Sequence, residues 1–530
     1  MSSRRVYVNQ DDSAFTRCHP IEDMTVEGLE RVVDFYAQGC QLAGLAFCVN
    51  MQRALFSSRV WETLIDDADP NLGLDQPLFE RCQEAAGMAA LVAAGVDHLQ
   101  VWLDRTRFHG VEAFLTMRMN DCHGLQSHGG FAQEGVEQPD QDHFNSHATR
   151  FWKDNPQLRR APYRFERSFE GAFDYSHEQV RAHHLALVEE LFDRYDMDGL
   201  ELDWMRWIFM FAPGSEAAGR SVLTEFIGEV DRLRKRAELR YEHPILLRHR
   251  VPAEPQSALA LGFDVARWSE LGLVDQVILS DFGACANLDY PIEIWRRLVG
   301  DRVKIIAMVE SGVAAYPGSS FGNYHVLYGA ASAALERGAD GVYLFNECYR
   351  EAGEAGERRL MLEMLNHLGA ADTLERVVRR HPVTYPQVQA PGEPQRRVLP
   401  IPLINSSIGW DPGRWAENVT LRLSIGRLSS RSRYVLRLGF SEEVSDGHLA
   451  GMSMRVNAVL VDSVEAPVYE DCRHWAFPGQ DRPELPEAVC LLSHYEVPHS
   501  VLLDDVNVVE FVPPEVEGRL EWAEFIVLPE

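Results

Sequence analysis

The chain has 530 residues, too many for one hydrophobic core, so two or three domains are expected. Apolar residues make up 46% and charged residues 25%, the balance of a soluble globular protein rather than a disordered one. The formal charge of −29, from 51 basic and 80 acidic residues, repels phosphate backbones and argues against a nucleic-acid partner.

Nine cysteines, an odd number without a CxxC pair, point to reduced thiols and a cytoplasmic setting. The opening MSSRRVYVNQ carries two arginines with no apolar stretch behind them, so no secretory signal is expected. No apolar run approaches the roughly 18 residues of a membrane span. A membrane partner is therefore not expected.

Up to about residue 370, short β-rich runs alternate with longer amphipathic ones. The predicted strands in chain order are RVYVN at 5–9, GLAFCVN at 44–50, VEAFLTMRMN at 111–120 and GLELDWMR at 199–206. They continue with ILLRHRV at 245–251, VDQVILSDF at 274–282, VKIIAMVE at 303–310 and GVYLFNE at 341–347. Between them, stretches such as TVEGLERVVDFYAQG and HEQVRAHHLALVEELFDRY place apolar residues three and four apart, the helical spacing. Eight strands in βα alternation predict a closed (β/α)8 barrel, an α/β fold, over residues 1–370. A Pro-rich linker over 371–400 follows, and short β-like runs over 401–530 predict a C-terminal β-sandwich. In the C-terminal domain, Trp410 or Trp415 could bind sugar, but bracing the barrel is the favoured role. Whether copies associate into a homo-oligomer is left open, because no seam stands out.

Barrel strands aim alternate residues inward, and the last of these reach the carboxyl-end mouth. In strand four, Leu200, Leu202 and Trp204 share one face, and Glu201 and Asp203 share the other. The leucines suit the helix side, so the two acids point into the barrel. Asp281 ends strand six, Glu310 strand seven, and Asn346 and Glu347 strand eight. Each acid alone could cap a helix; together they favour a site. Opposed carboxylates are what glycoside cleavage needs, with one protonating the leaving oxygen and the other attacking or activating water. Asp203, Asp281 and Glu310 are the catalytic candidates. Arg118, Asn120, Asp121, His123, Glu201, Trp204, Arg206, Arg248, Asn346 and Glu347 are candidates for binding substrate. A structural ion pair of Glu201 or Asp203 with Arg206 or Arg248 is the competing reading.

Two connections are long, one over about 51–90 and one over about 121–175. The second holds His123, His128, His143 and His147 with Asp121 and Asp142, but no HExxH. The favoured reading therefore has neither metal nor other cofactor. No Gly-rich phosphate loop and no GxSxG elbow is present, which disfavours nucleotide enzymes and α/β-hydrolases.

The segments CVNMQRALFSSRVWE at 48–62, EAFLTMRMNDCH at 112–123, FDYSHEQVR at 173–181 and DGLELDWMR at 198–206 resemble the glycosyl hydrolase-like 10 group of bacterial barrel proteins. The resemblance covers roughly residues 5–365 and implies a (β/α)8 barrel acting on carbohydrate. DGLELDWM is also similar to the chitinase-type family 18 pattern DGxDxDxE at Asp198, Gly199 and Asp203, with Met205 where that pattern has its acid. Asp203 and Asp281 match retaining α-glycosidases by position, while Glu310 fits the strand-seven acid of clan A glycosidases. The leading expectation is a glycoside hydrolase acting on an oligo- or polysaccharide. The rivals are a non-catalytic carbohydrate-binding barrel and a metal-dependent sugar isomerase or lyase using the histidine loop. The arginines hint at a sulfated or uronic substrate.

Overall fold

A computed structural model of the chain describes residues 5–530 apart from 39–41, 70, 74–75, 77, 80–81, 124, 126–147, 164–167, 283–285, 314–322, 346–354, 395, 404–418, 471–483 and 515. Eight parallel strands close into one barrel in chain order: β1 (Val6–Gln10), β2 (Leu42–Cys48), β3 (Glu112–Arg118), β4 (Gly199–Asp203), β5 (Leu246–Pro252), β6 (Gln276–Ser280), β7 (Lys304–Met308) and β8 (Gly341–Phe345). All eight predicted strands are present, within a few residues of their expected ends. Helices Val26–Ala37 and Glu178–Arg194 lie where the apolar spacing predicted them, and a longer one spans Glu216–Tyr241.

The inward face is set by alternation. Tyr7, Ala46, Phe114, Ile278, Ile306, Met308, Tyr343 and Phe345 form a cluster of their own inside the barrel. Phe114 fills the space left by Gly199, where a Cβ would lie 2.6 Å from the Phe114 ring. The opposite face, including Leu200, Leu202, Val277 and Leu279, joins the large core between strands and helices.

The C-terminal domain is a β-sandwich. Its larger sheet runs β10 (Ile401–Pro402), β18 (Arg519–Pro529), β12 (Ser432–Phe440), β16 (Leu491–Glu496), β15 (Asp462–Ser463), and β9 (Arg379–Pro382) also pairs with β18. The smaller sheet runs β11 (Val419–Ser424), β17 (Val506–Phe511), β13 (Met454–Val456), β14 (Val459–Leu460). Leu421, Leu423, Val509 and Phe511 of one sheet share a core with Leu436, Leu438, Phe525 and Val527 of the other. Trp410 and Trp415 lie outside the described residues.

The segment read as a linker contributes β9 to this sheet, and β9 packs against the barrel helix Tyr324–Glu336. The approach is close: a Cβ on Gly329 of that helix would sit 2.0 Å from the Arg380 carbonyl oxygen. The same sheet face buries Glu524, which accepts from Arg380 Nε at 2.8 Å and Arg437 Nε at 2.6 Å.

Candidate active site at the carboxyl mouth of the barrel

β4 and β5 run in register so that Glu201 lies opposite Arg248 and Asp203 opposite Arg250. Both acids point inward, as the alternation predicted, and both are buried. Glu201 Oε1 accepts from Thr116 Oγ1 at 2.9 Å and from the Tyr343 hydroxyl at 2.8 Å. Arg248 Nη2 stands 2.7 Å from Glu201 Oε2, an ion pair off the hydrogen-bond angle. The Arg248 guanidinium lies 3.8 Å from the Phe114 ring centroid, a cation–π contact deep in the barrel. Glu201 and Arg248 therefore form the barrel's mid-layer.

One layer higher, Arg250 Nη1 donates to both oxygens of Asp203, at 3.0 and 3.1 Å. Asp203 Oδ1 also accepts from the Met205 amide at 2.9 Å. Arg250 packs on the Phe345 ring at 3.7 Å and reaches the Met308 sulfur at 3.3 Å. A buried carboxylate with its own guanidinium avoids most of the several kcal/mol that a lone buried charge costs.

Beside this pair lies a second charged cluster. Arg118 donates to Asp11 at 2.9 Å and to Asp121 at 3.2 Å. Burial alone would raise the Asp11 and Asp121 carboxyls, but their cationic neighbours hold both below the usual range. For Asp121 those neighbours are His123, Arg118 and Arg206. His123 Nδ1 lies 2.9 Å from Asp121, and Arg206 Nη2 lies 3.4 Å from His123 Nε2. Burial and the Arg118 charge push Arg206 down to about 10.

The rim is aromatic. Trp207 meets His123 edge-on at 4.5 Å and Phe282 at 6.4 Å. Its backbone is left-handed at φ 58°, a conformation that costs a bulky residue about 1–3 kcal/mol and that clusters at functional sites.

Glu310 follows β7 on the inward parity of Ile306 and Met308 and is buried. Tyr290 is buried near Asp281, Glu310 and Arg250. Its hydroxyl lies by the Asp281 backbone outside hydrogen-bond geometry and has no hydrogen-bond partner among the described residues. Burial, then Asp281 and Glu310, push that hydroxyl well up, so it keeps its proton and can donate.

Several expectations need correction. Asp281 does not share the inward face, because Ile278 and Ser280 hold it and Asp281 takes the other parity. Its oxygens accept from Asn287 Nδ2 at 2.9 Å and the Gln387 amide at 3.0 Å, so it ties the segment after the barrel to the rim. Trp204 is fully buried behind the strand among Phe226, Phe263 and Trp268, out of reach of a sugar. Arg248 lies in the mid-layer, below the mouth. Asn120 spends its carboxamide on loop backbone, donating to the Phe173 and Phe209 carbonyls at 2.9 and 3.0 Å and accepting from the Phe173 amide at 2.8 Å. Arg118, Asp121, His123 and Arg206 do come together beside Asp203. Asn346 and Glu347 lie outside the described residues, as do His128, His143, His147 and Asp142 of the proposed metal loop. Among the described residues no three His, Cys, Asp or Glu side chains are grouped to hold a metal.

Three residues at the mouth were not singled out from the sequence. Arg250 could have been, because the inward acids of ELD face the arginines of RHR across the ladder. Asp11 and Tyr290 sit in connections, where no periodicity marks them.

No family model matches the chain, and no curated protein matches it in sequence. Solved structures similar to it include α-L-fucosidase isoenzyme 2 from Paenibacillus thiaminolyticus, at 10% identity and TM-score 0.41, covering 69% of this chain and 48% of that one. A putative α-L-fucosidase from Bacteroides thetaiotaomicron has 8% identity and TM-score 0.37, covering 99% of this chain and 95% of that one. A family 36 α-galactosidase from Geobacillus stearothermophilus, in complex with 1-deoxygalactonojirimycin, has 12% identity and TM-score 0.35, covering 93% and 55%. The chain thus spans about half the length of the first and third of these proteins.

Proposed function

We propose that the chain is a glycoside hydrolase that cleaves a glycosidic bond in an oligo- or polysaccharide. One observation carries the reading: Asp203 ends β4 facing the barrel interior, with Arg250 as its countercharge, on the rim that Glu310 enters from β7. In this reading Glu310 gives its proton to the leaving oxygen as the C–O bond breaks. Asp203 then either attacks the anomeric carbon or takes a proton from the attacking water. Glu310 is preferred to Asp281 as proton donor because it follows the inward parity of Ile306 and Met308, whereas Asp281 takes the parity opposite to Ile278. Supporting the reading further, Trp207 is a half-buried aromatic at the rim, the side-chain type against which sugar rings pack.

The test is turnover of a panel of aryl glycosides of both anomeric forms by the intact chain and by Asp203→Asn and Glu310→Gln. Each variant should lose about a thousandfold or more in kcat. Near-normal turnover in a folded Asp203→Asn variant defeats the assignment.

A second reading, a non-catalytic carbohydrate-binding barrel, is favoured by the burial of Asp203: its side chain is 1% exposed, and Arg250 and the Met205 amide already hold it. It predicts saccharide binding without turnover, kept in Asp203→Asn.

A further inference from the structure

Three guanidiniums meet at the mouth, and they are not equally satisfied. Arg118 is divided between Asp11 and Asp121. Arg250 is held by Asp203. Arg206 has no ion pair among the described residues, and its one hydrogen-bond contact there is the 3.4 Å approach to His123 Nε2. Its Nε, like that of Arg250, is buried without a partner among the described residues. A buried donor left unsatisfied costs about 1–3 kcal/mol, more when it is charged. The side chain is nonetheless braced, 5.1 Å over the Phe345 ring and 6.0 Å from the Trp207 ring.

The surrounding charges sharpen the point. Burial weighs most against the Arg206 charge; Arg118 and Arg250 repel it, while Asp121, Asp203 and Asp11 attract it. At the mouth the guanidiniums of Arg118, Arg206 and Arg250 are matched by the carboxylates of Asp11, Asp121 and Asp203, yet Arg206 alone of the three makes no direct ion pair among the described residues. A planar guanidinium with a free edge fits an oxyanion, whose two oxygens match its parallel N–H groups.

We propose that Arg206, with Trp207 beside it, is a subsite for an anionic group on the substrate, a carboxylate or a sulfate. As a statement about substrate this rests on the glycosidase reading; as a statement about binding it does not. The oxyanion takes the Nε and Nη protons of Arg206 while the sugar ring lies against Trp207. Specificity for acidic over neutral sugar follows from the guanidinium that a neutral ligand leaves uncompensated.

The test begins with binding, without turnover. Sodium acetate, D-glucuronate and sodium sulfate are titrated into the full chain against sodium chloride at matched ionic strength, read by calorimetry and tryptophan fluorescence. Saturable binding of the carboxylates or of sulfate is expected, and which of the two binds identifies the group. Arg206→Gln should weaken it at least tenfold. Arg206→Lys keeps the charge but not the fork, and should give an intermediate loss. No saturable binding of either anion to the unaltered chain overturns the proposal, even if the variants fail to fold. Equal affinity in folded Arg206→Gln also overturns it. Aryl uronides and their neutral counterparts are then compared as substrates. Anion binding at Arg206 with no turnover of any glycoside defeats the hydrolase reading and leaves the subsite standing. Turnover of neutral glycosides by the unaltered chain, with no anion binding, does the reverse.

Discussion

Arg250 and Asp203 face each other across the β4–β5 ladder, and one guanidinium nitrogen donates to both carboxylate oxygens at 3.0 and 3.1 Å. Both side chains are 1% exposed. Arg250→Met should therefore leave a buried carboxylate without its countercharge, at a cost of about 3–5 kcal/mol. Denaturant titration checks this through the midpoint. A paired Asp203→Asn, Arg250→Met variant should recover much of the loss, because the pair is removed together. A double variant no more stable than Arg250→Met alone would show that the two groups are not energetically coupled.

Glu201 and Arg248 form the same kind of pair one layer deeper, but they should behave differently in function. Glu201→Gln keeps acceptance from Thr116 and Tyr343 through its carbonyl while removing the charge opposite Arg248. A stability loss of about 3 kcal/mol or more is expected. Turnover per folded molecule should change little, since the carboxylate lies below the mouth. A selective collapse of kcat at unchanged stability would move Glu201 into the reacting layer.

How much of this was legible in the sequence depends on the range of the contacts. The barrel could be read because each strand carries its own period-two pattern and each helix its own apolar spacing. The inward direction of Glu201 and Asp203 followed from Leu200 and Leu202 alone. The same parity argument, applied to VILSD, puts Val277, Leu279 and Asp281 on one face; the apolar pair marks that face as the helix side. Trp204 likewise shares its face with the two leucines. Asn120 could not be read this way. Its partners Phe173 and Phe209 come from connections more than fifty residues away in sequence, and nothing local encodes them. Tyr290 and Asp11 share that limit.

Asp281 makes stability depend on pH with a definite sign. Burial is the main cause that lifts its carboxyl from 3.8 to about 6. Between those values the folded chain holds a proton that the unfolded chain has released. Its contribution is therefore most favourable below about 4 and declines as pH rises to about 6, by about 3 kcal/mol in all. Comparison of melting temperature against pH for the intact chain and Asp281→Asn isolates it. The difference between the two curves should change across pH 4 to 6 and be flat above. A constant difference across that window contradicts the assignment.

Glu524 works in the opposite direction, at the join between the sandwich and the barrel. Burial alone would raise it, but Arg380 and Arg437 outweigh burial and hold its carboxyl at about 2 instead of 4.5. A carboxylate lowered in this way contributes fully above its unfolded value and is lost as pH falls from about 4.5 toward 2. The fall from 4.5 to about 2 corresponds to about 3 kcal/mol. Glu524→Gln leaves two buried guanidiniums facing a neutral amide, and Arg380 carries β9 against the barrel helix Tyr324–Glu336. Loss of this anchor should loosen β9 and β18 before the barrel strands. Hydrogen exchange read by mass spectrometry checks it: faster exchange over residues 379–382 and 519–529, with unchanged protection in β4 and β5, is the expected pattern. Uniform acceleration across both domains would mean instead that they unfold as one unit, with Glu524 contributing to global stability rather than to the join.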